Sequence, residues 1–278
     1  MVARIAAVLL APLVVVVALY LALVGWAWWQ QERMLFFPTA LPAAHRLAVE
    51  PDVHELAVPV EGGAALSVLH LRLASPRGVV VFLPGNAGNL ASWFPETLPY
   101  RAAGLDLVMP DYRGYGKSTG RIESEAQLHA DVRAVWEHVA HRYEGLPLVV
   151  YGRSLGSALA SRLAADLSDA GRPPAATVLV SPFTRAADVL DEVYPWIPGF
   201  VLRYPLDTTA ALARIPPPVL LLHGDRDEII PVAHSRRLAD RHPRARLVVV
   251  EGAGHQDIHR HAAYQEAMAQ ILAGPGLR

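Results

Sequence analysis

The chain of 278 residues contains no cysteine, which excludes disulfide bridges and thiol chemistry. That absence suits an oxidising exterior compartment without requiring one. The sequence also lacks an excess of either charge: 25 basic and 26 acidic residues leave a net charge of −1. No basic surface of the kind that holds polyanions is therefore expected, and no nucleic-acid partner. There is no internal repeat and no low-complexity tract, so solenoid and array architectures drop out.

What is present begins at the N-terminus. From Ile5 to Trp29 no side chain is charged, a run of about 25 residues and long enough to cross a hydrocarbon core with some tilt. Its apolar length is about twice that of a signal peptide, and no small-x-small site followed by polar residues closes it. Residues 1–30 are therefore expected to be an uncleaved membrane anchor. Trp26, Trp28 and Trp29 sit at its far end, where indoles favour the headgroup region. Arg4 and the terminal amine precede the span, while Glu32 and Arg33 follow it. The slight positive bias favours the N-terminus inside and the bulk of the protein on the non-cytoplasmic side.

Residues 31–51 read as a connector, with Leu35-Phe36-Phe37-Pro38 lying against the membrane surface or the domain. Residues 52–278 suit one α/β domain. Strand candidates are His54–Val60, Leu66–Leu73, Val79–Leu83, Leu105–Met109, Leu148–Tyr151, Thr177–Val180, Val219–Leu222 and Leu247–Val250. From Val79 onward these runs are continuous and rich in Val and Leu, as in strands covered by helices on both faces. The first two are more polar and read as an antiparallel edge hairpin turning at Gly62-Gly63. Helix patterns separate the later strands. The clearest starts at Ser124, with Gln127 as capping-box partner and Leu128, Val132, Val135, Trp136 and Val139 on one face. The alternation predicts a mostly parallel, doubly wound sheet whose working groups collect at the carboxyl ends of the strands.

The residues that follow those strands carry chemistry. Gly152-Arg153-Ser154-Leu155-Gly156 lies between an apolar run and an Ala/Leu-rich segment. In a strand–turn–helix context, G-x-S-x-G bends so tightly that only glycines fit beside the serine, and the hydroxyl projects as a nucleophile. Pro84-Gly85-Asn86-Ala87-Gly88-Asn89 supplies a loop with free amides. With Ser154 in place, the N–H groups of Asn86 and Leu155 become the expected oxyanion donors, the latter reinforced by a helix start. Asp111-Tyr112-Arg113-Gly114-Tyr115-Gly116-Lys117-Ser118 ends like a phosphate-binding loop. That motif needs a glycine where Asp111 stands, so the nucleotide reading fails and Asp111 and Arg113 are expected to be structural. His223-Gly224-Asp225-Arg226-Asp227-Glu228 offers two aspartates that qualify equally by position. His255, in Glu251-Gly252-Ala253-Gly254-His255, sits on a glycine-rich loop after the last strand, whereas His223 reads as structural. His259 and His261 lie nearby, but no recognised ligand spacing accompanies them and no metal or other cofactor is expected. A serine, then an acid, then a histidine is the chain order of an acyl-transfer triad.

With these motifs, the chain from about Leu35 onward resembles the α/β-hydrolases, most of all the membrane-anchored alpha/beta-hydrolase domain-containing proteins grouped with serine aminopeptidases. The likeness rests also on Ser181-Pro182-Phe183. It implies an α/β-hydrolase fold with a small helical cap at about 183–215, and Asp227 as the triad acid. Pro84 stands where similar proteins usually carry histidine. The cap segment holds Val189, Leu190, Tyr194, Trp196, Ile197, Phe200, Val201, Leu202 and Tyr204. Its apolar character suits an acyl chain, with Trp196 and Phe200 as candidate contacts. A small-molecule ester or thioester substrate is expected. The competing readings are an aminopeptidase, which needs an acidic anchor for an amino terminus, and a membrane-tethered scaffold without turnover. Asp188, Asp191 and Glu192 are expected to face solvent rather than serve as that anchor.

Overall fold

The computed structural model describes residues 2–47, 50–94 and 97–274, with side chains from residue 12 onward. The side chain of Arg4 and residues 275–278 lie outside the described set. All eight expected strands form: β1 Val53–Val60, β2 Ala64–Leu71, β3 Gly78–Leu83, β4 Leu105–Pro110, β5 Leu148–Arg153, β6 Ala176–Val180, β7 Val219–Gly224 and β8 Ala245–Val250. They make one sheet in the order β8-β7-β6-β5-β3-β4-β2-β1. β1 and β2 run antiparallel through a turn in which Gly62 and Gly63 both take positive φ, 75° and 73°. β2 also pairs antiparallel with β4, so it is an interior strand and is buried along nearly its whole length; of the hairpin, β1 alone lies at a sheet edge. Every other pairing is parallel.

Because successive side chains on a strand point to opposite faces, the Val/Leu runs feed two separate cores. Val79, Val81, Leu83, Val150, Leu179 and Leu221 join one cluster. Val80, Phe82, Val149, Tyr151, Val178 and Leu220 join the other. Helices α2 (Glu125–Ala140), α3 (Leu155–Asp169) and α5 (Ala233–Arg241) bury residues in the first cluster. Leu98–Ala103 and α6 (Ala262–Leu272) bury theirs in the second. In α2 the expected face is buried, and Ser124 Oγ accepts from the Gln127 amide at 3.1 Å. The Gln127 side chain reaches one residue further back than a capping box requires and accepts from the Glu123 N–H at 2.9 Å.

Strand order reverses on either side of β3: β4 lies to one side and β5 to the other. At such a switch point the loops leaving β3 and β5 part and open a crevice, here between Asn86 and Ser154. The β6–β7 connection contains α4 (Ala186–Val193), a 3-10 turn at Gly199–Val201 and the short helix Thr208–Leu212. The last of these buries Leu212 in the sheet-side core, so the roof proper is residues 186–204. Leu35-Phe36-Phe37-Pro38 lies on the domain: Phe36 is buried, and Phe37–Pro38 pairs in parallel with Ala87–Gly88 beside the crevice. Preceding it, α1 (Val2–Trp29) is a 28-residue helix whose Pro12–Trp29 stretch has mean hydropathy 2.0, long and apolar enough to cross a membrane.

Candidate active site

Ser154 ends the turn between β5 and α3 with φ 54° and ψ −124°. A non-glycine residue there is strained by about 1–3 kcal/mol and persists only where its surroundings impose the shape. The glycines show how. A Cβ on Gly156 would lie 2.0 Å from the Leu83 carbonyl oxygen and 2.4 Å from that of Pro84; one on Gly152 would lie 2.3 Å from the Gly156 carbonyl oxygen. Strand, loop and helix thus pack too closely for a side chain at either 152 or 156. Its N–H donates to Val180 at 2.9 Å and ties the turn to β6.

The two aspartates left open by their positions are separated by geometry. Asp225 accepts from the Gly252 N–H at 2.7 Å and fastens the loop after β8. Asp227 Oδ2 lies 2.7 Å from His255 Nδ1. The other oxygen of Asp227 accepts from the amides of Ile229 at 3.0 Å and Ile230 at 2.8 Å. Burial of Asp227 opposes its charge. The hydrogen bonds from His223, His255 and the Ile230 amide outweigh that and hold its carboxyl far below the usual carboxylate range. His223, fully buried, is the supporting group: its Nε2 is 2.8 Å from the Ile230 carbonyl and 3.3 Å from Asp227 Oδ2, while Ser235 Oγ sits 2.7 Å from its Nδ1. Both contacts at Nε2 are acceptors, so Nε2 carries the proton and Nδ1 accepts from Ser235.

Ser154, Leu155, Asn86 and His255 line one cleft of about 720 Å³. With Nδ1 engaged by Asp227, His255 keeps Nε2 for the cleft. Among the described residues no hydrogen bond joins Ser154 Oγ to the His255 ring. Such bonds are often long in unliganded sites and tighten with substrate. The Asn86 loop is pinned from three directions: its carbonyl accepts from Phe37 at 2.8 Å and Tyr115 at 2.7 Å, and its amide side chain donates to Leu35 at 2.8 Å. Pro84, in place of histidine, leaves its carbonyl accepting from Tyr112 at 2.7 Å. The Leu155 N–H belongs to the first turn of α3, where amides have no partner within the helix.

Two residues that sequence reasoning passed over shape the cleft. Arg153, buried beside the serine, donates to the His255 carbonyl at 2.6 Å, and its guanidinium carbon lies 5.3 Å from the Trp93 ring centroid. Its place in the pentapeptide was visible, but nothing in the sequence shows that it reaches the histidine loop. Gln31 is buried at the cleft wall. The cap contributes Val189, Leu190, Val193, Tyr194, Ile197 and Val201 to the lining. Trp196 and Phe200, the expected cap contacts, do not line the cleft; Phe200 is 88% exposed. Past α4, residues 194–204 carry two prolines and no helical period, so composition alone could not say which side chains turn inward there. Asp188 is half-buried rather than solvent-facing, accepting from Thr184 and Arg185. Arg113 forms a buried bidentate pair with Asp131 at 2.6 and 2.8 Å, as its structural reading predicts. Asp111 accepts from the Leu90 amide, while its Oδ2 is buried without a partner. His259 lines the cleft, His261 pairs with Asp257 at 3.7 Å, and no group of three metal-ligating side chains occurs among the described residues.

Known proteins resemble this chain in sequence and fold. Residues 74–206 match the family model for serine aminopeptidase, S33, and residues 202–277 match that for TAP-like protein. An uncharacterized protein of Mycobacterium tuberculosis is 36% identical over 256 residues, covering 88% of each chain. Alpha/beta hydrolase domain-containing protein 17C of Xenopus tropicalis is 32% identical over 222 residues, covering 77% of this chain and 67% of the relative. An esterase from Pyrococcus furiosus superposes with a TM-score of 0.67 at 18% identity, covering 86% of this chain and 97% of that one. With that sheet order, that serine turn and these relatives, the chain belongs to the α/β-hydrolase superfamily, in its serine-aminopeptidase-like group.

Proposed function

We propose that the protein is a serine hydrolase that cleaves carboxylic esters or thioesters of lipid origin through an acyl-enzyme on Ser154. His255 Nε2 takes the Ser154 proton as the hydroxyl oxygen attacks the carbonyl, and the same nitrogen returns that proton to the leaving alcohol or thiol. Water then repeats the sequence and frees the acid. Asp227, held ionised, keeps His255 in the tautomer with its proton on Nδ1 and balances the imidazolium. The amides of Asn86 and Leu155 receive the oxyanion. The observation that carries this reading is the 2.7 Å pair of Asp227 and His255 opening onto the same cleft as a strained serine turn.

The cleft wall argues for an acyl substrate over a peptide amino terminus. No Asp or Glu lines the cleft among the described residues, whereas aliphatic cap side chains do. Of the cap carboxylates, Asp188 and Glu192 are bound to Arg185 and Arg237. In this reading α1 anchors the domain, with the catalytic side non-cytoplasmic, and places the cleft where lipid esters concentrate. A panel of p-nitrophenyl esters of rising acyl length tests it. Turnover is expected to favour the longer acyl chains and to fall on the order of a thousandfold or more in Ser154→Ala. A folded wild type that leaves every ester intact and releases amino acids from aminoacyl amides overturns it in favour of the peptidase.

A further inference from the structure

Residues 193–202, Val-Tyr-Pro-Trp-Ile-Pro-Gly-Phe-Val-Leu, are the longest stretch of the cap without a charge. Val193, Tyr194, Trp196 and Phe200 are all exposed. In water such a cluster is unfavourable, and its meaning lies in what it stands beside. Tyr20 of α1 donates its hydroxyl proton to the Trp196 carbonyl at 3.0 Å. Just past the end of α1, Gln31 donates to the Val201 carbonyl at 2.7 Å and accepts from the Arg203 N–H at 2.8 Å. Next to it Glu32 pairs with Arg203 at 2.7 Å and accepts from Tyr204 at 2.8 Å, and the Arg203 guanidinium carbon lies 5.2 Å from the Trp28 ring centroid.

These contacts set two levels along α1. The charged and indole groups, Trp28, Glu32 and Arg203, mark one end, the level at which a spanning helix meets the headgroups. Tyr20 lies eight residues back into the apolar stretch, about 12 Å along the axis at 1.5 Å per residue. Trp196, bonded to Tyr20, therefore sits on the hydrocarbon side of the headgroup level. Tilt of α1 reduces the depth toward the roughly 5–10 Å typical of interfacial segments. Pro195 and Pro198 have no N–H, and the amides of Tyr194, Ile197, Val201 and Leu202 bond locally, while those of Trp196 and Phe200 make no backbone bond among the described residues and suit the hydrated interface rather than the bilayer centre. The same segment faces the cleft on its other side, where Val193, Tyr194, Ile197 and Val201 share the lining with Ala27 and Gln31.

We infer that residues 193–202 form a bilayer-inserted doorway: Trp196 and Phe200 lie among lipid tails, and the inner side chains lead an acyl chain sideways from the bilayer to Ser154. α1 is then one wall of the substrate path as well as a tether. This rests on α1 spanning the membrane and on the ester-hydrolase reading of the cleft.

The absence of cysteine makes the test direct. Full-length chains carrying Phe200→Cys, Trp196→Cys or, as a control, Ala170→Cys are labelled with an environment-sensitive fluorophore and reconstituted into phosphatidylcholine vesicles. Ala170 follows α3 at the end of the sheet away from Ser154. The labels at 196 and 200 are expected to emit at shorter wavelength and to be quenched by bromine on the lipid acyl chains more strongly than by aqueous iodide, with the control reversed. Labels at 196 and 200 that iodide quenches like the control overturn the doorway. Phe200 is exposed, so its replacement removes no packing; Trp196 provides a second, independent reading. All three chains carry Ser154→Ala as well, so the depth reading needs no turnover. A lost doorway thus leaves the esterase reading standing, and a failed ester panel leaves the depth result intact.

Discussion

Replacing Asp111 with asparagine is expected to flatten the dependence of stability on pH between about 4 and 7. The Asp111 carboxyl lies just past the end of β4 against Gly116, with Oδ2 buried and unpartnered. Desolvation raises its pKa and outweighs the hydrogen bond from the Leu90 amide, with the charge of Glu55 adding to the rise, so the carboxyl is pushed up to about 7 from 3.8. Between those two values the folded chain holds a proton that the unfolded chain has released. Stability therefore falls as pH rises through this window and levels off above it. A separation of about three pH units, at about 1.4 kcal/mol per unit, bounds the loss at about 4 kcal/mol. Asparagine carries no charge and escapes that loss, but leaves an unpartnered N–H worth about 1–3 kcal/mol against it at every pH. The variant should thus be the less stable protein at pH 4 and should recover several kcal/mol relative to wild type by pH 8. Chemical-unfolding midpoints of both proteins in the same detergent, measured from pH 4 to 8, read the difference. Two curves that run parallel across the window would show that the folded chain holds no extra proton at Asp111.

Asp227→Asn keeps the shape of the 2.7 Å contact with His255 but removes the charge and permits the wrong imidazole tautomer. Turnover of a soluble ester should fall about 10⁴-fold while the fold is retained by circular dichroism. Retention of most activity would remove Asp227 from the acid's role. Gly156→Ala forces a Cβ to within 2.0 Å of the Leu83 carbonyl oxygen, a backbone atom that cannot swing aside. It should cost more than about 2 kcal/mol in unfolding free energy, and ester turnover should fall with the displaced Asn86 loop; an alanine variant of wild-type stability would show that the packing at the turn is looser than described.

The sheet was legible because β3 to β7 are continuous Val/Leu runs, and burial on both faces leaves such runs few alternatives. The serine turn was legible because glycine at 152 and 156 is demanded by backbone contact rather than by preference. Asp225 and Asp227 are chemically equivalent in sequence and separable only by where the turn after β7 directs them. Arg153 and Gln31 were illegible for a related reason: each acts through a contact with residues far along the chain, His255 for one and Val201 and Arg203 for the other. Trp196 and Phe200 show the limit of composition. Their apolar character was plain, but without a periodic element no rule assigns a side chain to the cleft or to its outer surface. The packing of α1 against the cap had no sequence signal, since a spanning stretch reads the same whether or not one face is occupied.

In the proposed mechanism everything turns on Ser154 being a nucleophile activated by His255. A fluorophosphonate probe, which phosphonylates activated serines far faster than ordinary hydroxyls, is the decisive reagent on the full-length protein. Wild type should be labelled, the adduct should map to Ser154 by peptide mass, and Ser154→Ala and His255→Ala should both stay unlabelled. A folded wild type that takes up no probe, or an adduct on any other residue, would contradict the account.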